Sequence, residues 1–154
     1  MKAIVFGANG YGGKLLLRLL ARHPQIQRII ASSRSFAGST LEEMDPGLST
    51  HSLASGRYHP TVLAPEEALR ESVDVVFSAL PHGASADVCE PLFGRVPVID
   101  LSADFRFGNE QTYVHAYGAP RPAPLFQDRA VYGLTEWNRD ALADATIVAN
   151  PGCY

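Results

Sequence analysis

The first 22 residues constrain the fold more than any other stretch of the chain. Residues 3–6 are a short apolar run, glycines follow at 7, 10 and 13, and from Lys14 to Arg22 leucines recur at 15, 16, 19 and 20. This order reads as a strand, a tight turn and an amphipathic helix. His23-Pro24 closes the helix, because the residue before proline disfavours the helical region. Further apolar runs stand at residues 28–31, 73–80, 96–101 and 146–149. Helical stretches separate some of them: one opens on Pro65, a good first residue for a helix, and one covers 84–93. Strands that are apolar on both faces and alternate with helices make a parallel sheet covered on both sides. The expected class is therefore doubly wound α/β, mostly parallel and Rossmann-like.

Between the runs the pattern weakens. Residues 32–59 are rich in Ser, Gly and Thr, with a turn at Asp45-Pro46-Gly47 and a short helix at 41–44, and a further strand is expected near 61–63. Residues 104–132, with Pro120, Pro122 and Pro124, are expected to be irregular and to wrap over the sheet edge, before a short helix from Thr135. The 154 residues, 46% hydrophobic and 19% charged, suit one domain, 1–154, around one core. A net charge of −3 with scattered basic residues gives no footprint for nucleic acid. No apolar run is long enough to span a bilayer, and the chain enters a strand pattern without a basic leader, so a cytoplasmic protein is expected. Cys89 and Cys153 form no CxxC pair and read as free thiols. The five histidines lack ligand spacing, no metal is expected, and His51 and His59 read as solvated loop residues.

Three places carry chemistry. Gly7-Ala8-Asn9-Gly10-Tyr11-Gly12-Gly13 sits between the first strand and the first helix, the context in which glycine spacing indicates a nucleotide site. Gly7 permits the turn, Gly10 lets a pyrophosphate approach the backbone, and Gly13 lets the helix pack on the strand, while free N–H groups and the helix dipole favour phosphate. The spacing is GxxGxxG where the common fingerprint is GxGxxG, and a purely steric turn is the alternative. At the end of the second strand stand Ser32, Ser33 and Arg34, where enzymes using NAD commonly place an acid. Hydroxyls with a guanidinium suit a 2′-phosphate, which favours NADP, the alternative being a solvated Arg34. In Asn150-Pro151-Gly152-Cys153, proline and glycine end the strand and lift Cys153 to the rim where open α/β sheets do chemistry. As a thiolate it would attack a carbonyl, and a structural cysteine is the alternative.

The glycine turn, Leu80-Pro81-His82-Gly83, Asp100-Leu101-Ser102-Ala103-Asp104-Phe105-Arg106, Val131-Tyr132-Gly133-Leu134 and Asn150 to Tyr154, in this order, resemble the N-acetyl-gamma-glutamyl-phosphate reductase family over nearly the whole chain. The resemblance implies an NADPH-dependent enzyme of arginine biosynthesis in which Cys153 attacks an acyl phosphate and the resulting thioester is reduced to the semialdehyde. It assigns the cofactor to Gly7, Asn9, Gly10, Tyr11, Gly12, Gly13, Ser32, Ser33 and Arg34, with Leu80, Pro81, His82 and Gly83 flanking the nicotinamide. His82 is read as shaping the backbone or making a local hydrogen bond, not as a base. Ser102, Arg106 and Asn150 are candidate substrate contacts, an internal Asp104–Arg106 tie being the alternative for Arg106. Family members continue into a second domain with a histidine acid/base, much of the substrate pocket and the oligomer contact. The chain is therefore expected to be the N-terminal NADP-binding part, inactive alone and homo-oligomeric in the full-length protein. The rivals are an aminoadipyl-phosphate reductase of lysine biosynthesis, an aspartate-semialdehyde dehydrogenase, which residues 101–106 disfavour, and a non-catalytic NADP-binding module.

Overall fold

Lys2–Phe6 forms β1, and from Ala3 to Phe6 it is wholly buried because both of its edges are paired. β2 (Arg28–Ser32) lies parallel on one side and β3 (Val75–Ser78) on the other, with Ile4 opposite Ile30 and Val76. The computed structural model describes residues 1–48 and 56–152, which divide into two compact units, Met1–Ala79 and Leu80–Tyr154. His51 and Cys153 lie outside the described residues.

In the first unit the strand order is β2-β1-β3, so the chain leaves β1 on one side and returns on the other. The carboxyl ends of β1 and β3 thus mark a switch point, where open α/β sheets bind ligands. α1 (Tyr11–Arg22) begins before the expected Lys14, its N-cap being the extended Gly10. Glycines at 12 and 13 hide the first turn from a periodicity argument, since glycine is a poor helix former. The helix buries Gly13, Leu17 and Leu20 and ends at an extended His23, as Pro24 requires. α2 (Leu41–Met44) is held by a capping box between Thr40 and Glu43. The strand expected near 61–63 is reduced to isolated bridges, Ser32 with Leu63 and Thr40 with Thr61. α3 (Pro65–Ala68) opens on its proline.

In the second unit α4 (Ala84–Cys89) tightens into a 3-10 turn, Glu90–Leu92, because Pro91 lacks the N–H that would continue the α-helical ladder. β4 (Val98–Asp100) follows. The stretch 104–132 is more regular than expected and includes part of the sheet: α5 (Glu110–Tyr117), α6 (Pro124–Gln127) and β5 (Ala130–Tyr132). α5 escapes the pattern because it buries only Tyr113. Its definition is local: Asn109 caps its start, accepting from the Thr112 N–H, and Gly118 closes it in the left-handed region. After α7 (Thr135–Ala143), β6 (Ile147–Ala149) runs parallel to both β4 and β5, in the order β4-β6-β5. Phe105, Ala86, Ile147 and Ala149 form a core against which Phe93 and Phe126 pack.

Candidate functional site

In the first unit the glycine turn is built by packing. Gly7 takes φ of +70°, and the Gly10 N–H donates to its carbonyl at 3.1 Å. A Cβ on Gly13 would lie 2.3 Å from the Gly7 oxygen and 2.8 Å from the Ala8 Cα, so only glycine lets the helix start this close to the strand. Gly10 and Gly12 have room for a methyl, which frees them for a ligand. Asn9 bridges the turn to the tip of β2: its side-chain oxygen accepts from the Ser33 hydroxyl at 3.0 Å. Ser32 and Ser33 are buried, and the Ser32 Oγ has no hydrogen-bond partner among the described residues. Arg34 and Tyr11 are exposed. A glycine cradle, first-turn N–H groups without intrahelical acceptors and an orphaned buried hydroxyl fit the phosphates and ribose of a dinucleotide.

In the second unit, the residues after β4 tie two loops down. The Asp104 carboxylate is wholly buried and accepts from the N–H groups of Gly83 at 2.7 Å and Ala86 at 3.0 Å, across the start of α4. The Ala103 N–H donates to His82 Nδ1 at 2.8 Å, so the neutral ring carries its proton on Nε2, and the ring packs against Tyr117. The donor lies 21 residues further along the chain. The Pro81 carbonyl accepts from the Ala84 N–H, and Leu80 is half-buried. Asp100 accepts from the hydroxyls of Ser85 and Ser102 and from the Ser102 N–H. Burial raises its pKa above the usual carboxylate range, against the opposing effect of those donors.

Arg106 corrects an expectation: it makes no tie to Asp104. Its Nε donates to the Asn150 carbonyl at 3.0 Å and its Nη2 to the Leu101 carbonyl at 2.9 Å. The physical reason is that Asp104 turns inward to the start of α4, leaving the guanidinium to the carbonyls at the ends of β4 and β6. A Cβ on Gly152 would stand 2.9 Å from Arg106 Nη1, so the guanidinium lies directly against the residue before Cys153. The Asn150 N–H donates to the Asp100 carbonyl at 2.8 Å, and its side chain to the Pro151 carbonyl. Arg106, Phe107, Tyr117, Tyr132 and Gly152 line an open cleft of about 410 Å³. Ser102 does not reach it as a free group: its hydroxyl is buried, donating to Asp100 and accepting from the Asp104 N–H. The sequence reading missed Ser85, Tyr117 and Gln127, whose buried amide donates to the Asp104 carbonyl. It also missed Tyr113, whose phenol burial and the nearby Asp104 carboxylate push up to about 12. A glutamine in the apolar α6 was the one available signal.

Residues 2–145 match the family described as "Semialdehyde dehydrogenase, NAD binding domain". The chain belongs to this family. Over its whole length this semialdehyde dehydrogenase NAD-binding domain is 45% identical to the N-acetyl-gamma-glutamyl-phosphate reductase of Neisseria meningitidis serogroup C, 46% to that of Neisseria gonorrhoeae and 43% to that of Marinobacter nauticus. It spans 43% of the length of each of these relatives. Among solved structures it is similar to the aspartate semialdehyde dehydrogenase of Candida albicans, crystallised with NADP, at a TM-score of 0.52 and 24% identity over 79% of this chain and 40% of that one. That likeness agrees with the doubly wound, Rossmann-like class read from the alternating strands and helices. No helix among the described residues is long and apolar enough to cross a membrane.

Proposed function

We propose that the chain is the cofactor-binding and nucleophile-bearing part of an N-acetyl-gamma-glutamyl-phosphate reductase, an NADPH-dependent enzyme of arginine biosynthesis acting in the cytoplasm. The observation that carries this reading is identity of 43–46%, along the whole of this chain and 43% of their own length, with reductases of that name. Gly7, Asn9, Gly10, Tyr11, Gly12 and Gly13 are assigned to the cofactor phosphates, and Ser32, Ser33 and Arg34 to the 2′-phosphate. On the sequence resemblance, Leu80, Pro81, His82 and Gly83 flank the nicotinamide. When bound, the cofactor supplies the hydride that turns an acyl group into an aldehyde.

Cys153, as the thiolate, attacks the acyl carbonyl of N-acetyl-gamma-glutamyl phosphate. A carbon–sulfur bond forms, the bond from the acyl carbon to the phosphate oxygen breaks, and phosphate leaves. After reduction the carbon–sulfur bond breaks and the thiolate is restored. Arg106, lining the cleft beside Gly152, is assigned to an anionic group of the substrate, with Asn150 at the same strand end. Ser102 contributes through the shape of the turn. The histidine acid/base and the homo-oligomer contact are assigned to the part of the relatives that this chain does not span.

The test is turnover by the whole protein with N-acetyl-gamma-glutamyl, aminoadipyl and aspartyl phosphates. The first is expected to win, by roughly tenfold to two-hundredfold over the substrate one methylene longer. Preference for either other substrate overturns the reading, and NADPH binding without oxidation in the presence of any of them supports the non-catalytic module.

A further inference from the structure

We infer that Asp104 is a positioning residue, a buried carboxylate that fixes the loop 80–83 so that the nicotinamide end of the cofactor site is held in register for hydride transfer. The inference rests on the assignment of that loop under the proposed function.

Asp104 is a fixed point in the second unit. Its own N–H donates to the Ser102 hydroxyl at 3.1 Å, and its own carbonyl accepts from the Gln127 amide. Its side chain has no exposure to solvent. From that anchored backbone the carboxylate reaches back 21 residues to the Gly83 N–H and 18 residues to the Ala86 N–H, one oxygen each. The neighbouring Ala103 N–H holds His82 in the same loop. Gly83 is strained for any other residue, with φ of +80°, yet a Cβ there would meet nothing within 4 Å. Crowding therefore does not dictate that conformation, and the Gly83 N–H is held by the Asp104 carboxylate.

A carboxylate is suited to this role because both oxygens accept, so one side chain satisfies two N–H groups that diverge from the first turn of α4. Replacing it with an amide leaves one acceptor and sets an NH2 group against an N–H. The loop would then be loosened where the chemistry needs a fixed distance, without any change in a group that touches substrate. Asp104 is not among the described residues that line the cleft beside Gly152, so the formation of the thioester is expected to feel the change less than the reductive step.

The experiment uses the whole protein carrying Asp104→Asn and, separately, Ser102→Ala, which removes the acceptor of the Asp104 N–H together with a donor to Asp100 and leaves the Asp104 carboxylate in place. Phosphate release without NADPH reads the acyl step and counts active sites. NADPH oxidation by those counted sites reads the reductive step. Gly83 and Ala86 amide hydrogen exchange reads the loop directly. For Asp104→Asn the expected result is faster exchange at both amides, phosphate release per site within threefold of wild type, and NADPH oxidation per site slower by roughly 100-fold, as a misplacement of about 1 Å would cause. Ser102→Ala should shift the same step in the same direction by less. A merely structural role would lower the number of sites and leave the ratio of the two rates unchanged, which overturns the inference. Equal slowing of both steps also overturns it. If wild type releases no phosphate and oxidises no NADPH, the proposed function fails instead, and the exchange measurement still reports whether Asp104 holds the loop. Should Asp104→Asn yield no folded protein, Ser102→Ala decides: an unchanged rate ratio overturns the inference and a selective reductive defect supports it.

Discussion

Gly13 shows how one hydrogen atom can set the start of a domain. Its missing Cβ would fall 2.3 Å from the carbonyl oxygen of Gly7 and 2.8 Å from the backbone of Ala8, and neither can move aside as the end of a flexible side chain would. Gly13→Ala is therefore expected to destabilise the chain by about 1–3 kcal/mol, the usual cost of overpacking. Gly12→Ala, a change into open space at a helical position, is expected to stabilise by up to about 1 kcal/mol. Urea unfolding of both variants checks this, and equal midpoints would mean that the helix does not sit so close to the turn. This role of Gly13 was legible in the sequence from its place between the first strand and the expected start of the helix at Lys14. The partners of Arg106 were not. The nearest acid, Asp104, was the natural guess, but the acceptors are backbone carbonyls at Leu101 and, 44 residues away, at Asn150. Backbone acceptors leave no mark in a sequence, and only the pairing of β4 with β6 brings the second one near.

β4 and β6 were legible as apolar runs, while α5 and β5 were not. A helix that buries only Tyr113 and a three-residue strand without a fully buried position offer no period to read. What β4 does at its end was only half visible: the motif names Asp100, but Ser85, which bonds it from α4, is 15 residues away. That carboxyl is wholly enclosed, and its pKa is raised from 3.8 chiefly by burial. The folded chain thus binds this proton more tightly than the unfolded chain. The contribution to stability is complete below pH 3.8 and is lost as the pH rises through the folded value. Asp100→Asn has no proton to lose there. The stability of wild type relative to this variant is therefore expected to fall from acid toward neutral pH, as read by unfolding each protein at a series of pH values. A difference that stays constant would show that the hydrogen bonds from Ser85 and Ser102 offset the loss of solvent, and one that grows with pH that they outweigh it.

For the whole molecule, the telling fact is that the chain spans 43% of reductases to which it is 43–46% identical. The cofactor recognition proposed for its first unit would have a local basis: the turn 7–13 and the tip of β2 are joined by the Asn9–Ser33 bond, and Arg34 is exposed. A protein of these 154 residues is therefore expected to bind NADPH without reducing an acyl phosphate. A hydrogen bond to a charged phosphate is worth about 1.5–3 kcal/mol, so NADPH should bind roughly tenfold to a hundredfold more tightly than NADH. Arg34→Ala should erase most of that difference while leaving NADH affinity within a factor of about two. Calorimetry with both cofactors on both proteins gives the four constants. Equal affinity of the unaltered chain for NADPH and NADH would remove the 2′-phosphate assignment, and steady reduction of N-acetyl-gamma-glutamyl phosphate would place the acid/base within these residues. A preference that survives Arg34→Ala would move recognition to Ser32, the buried hydroxyl that has no partner among the described residues.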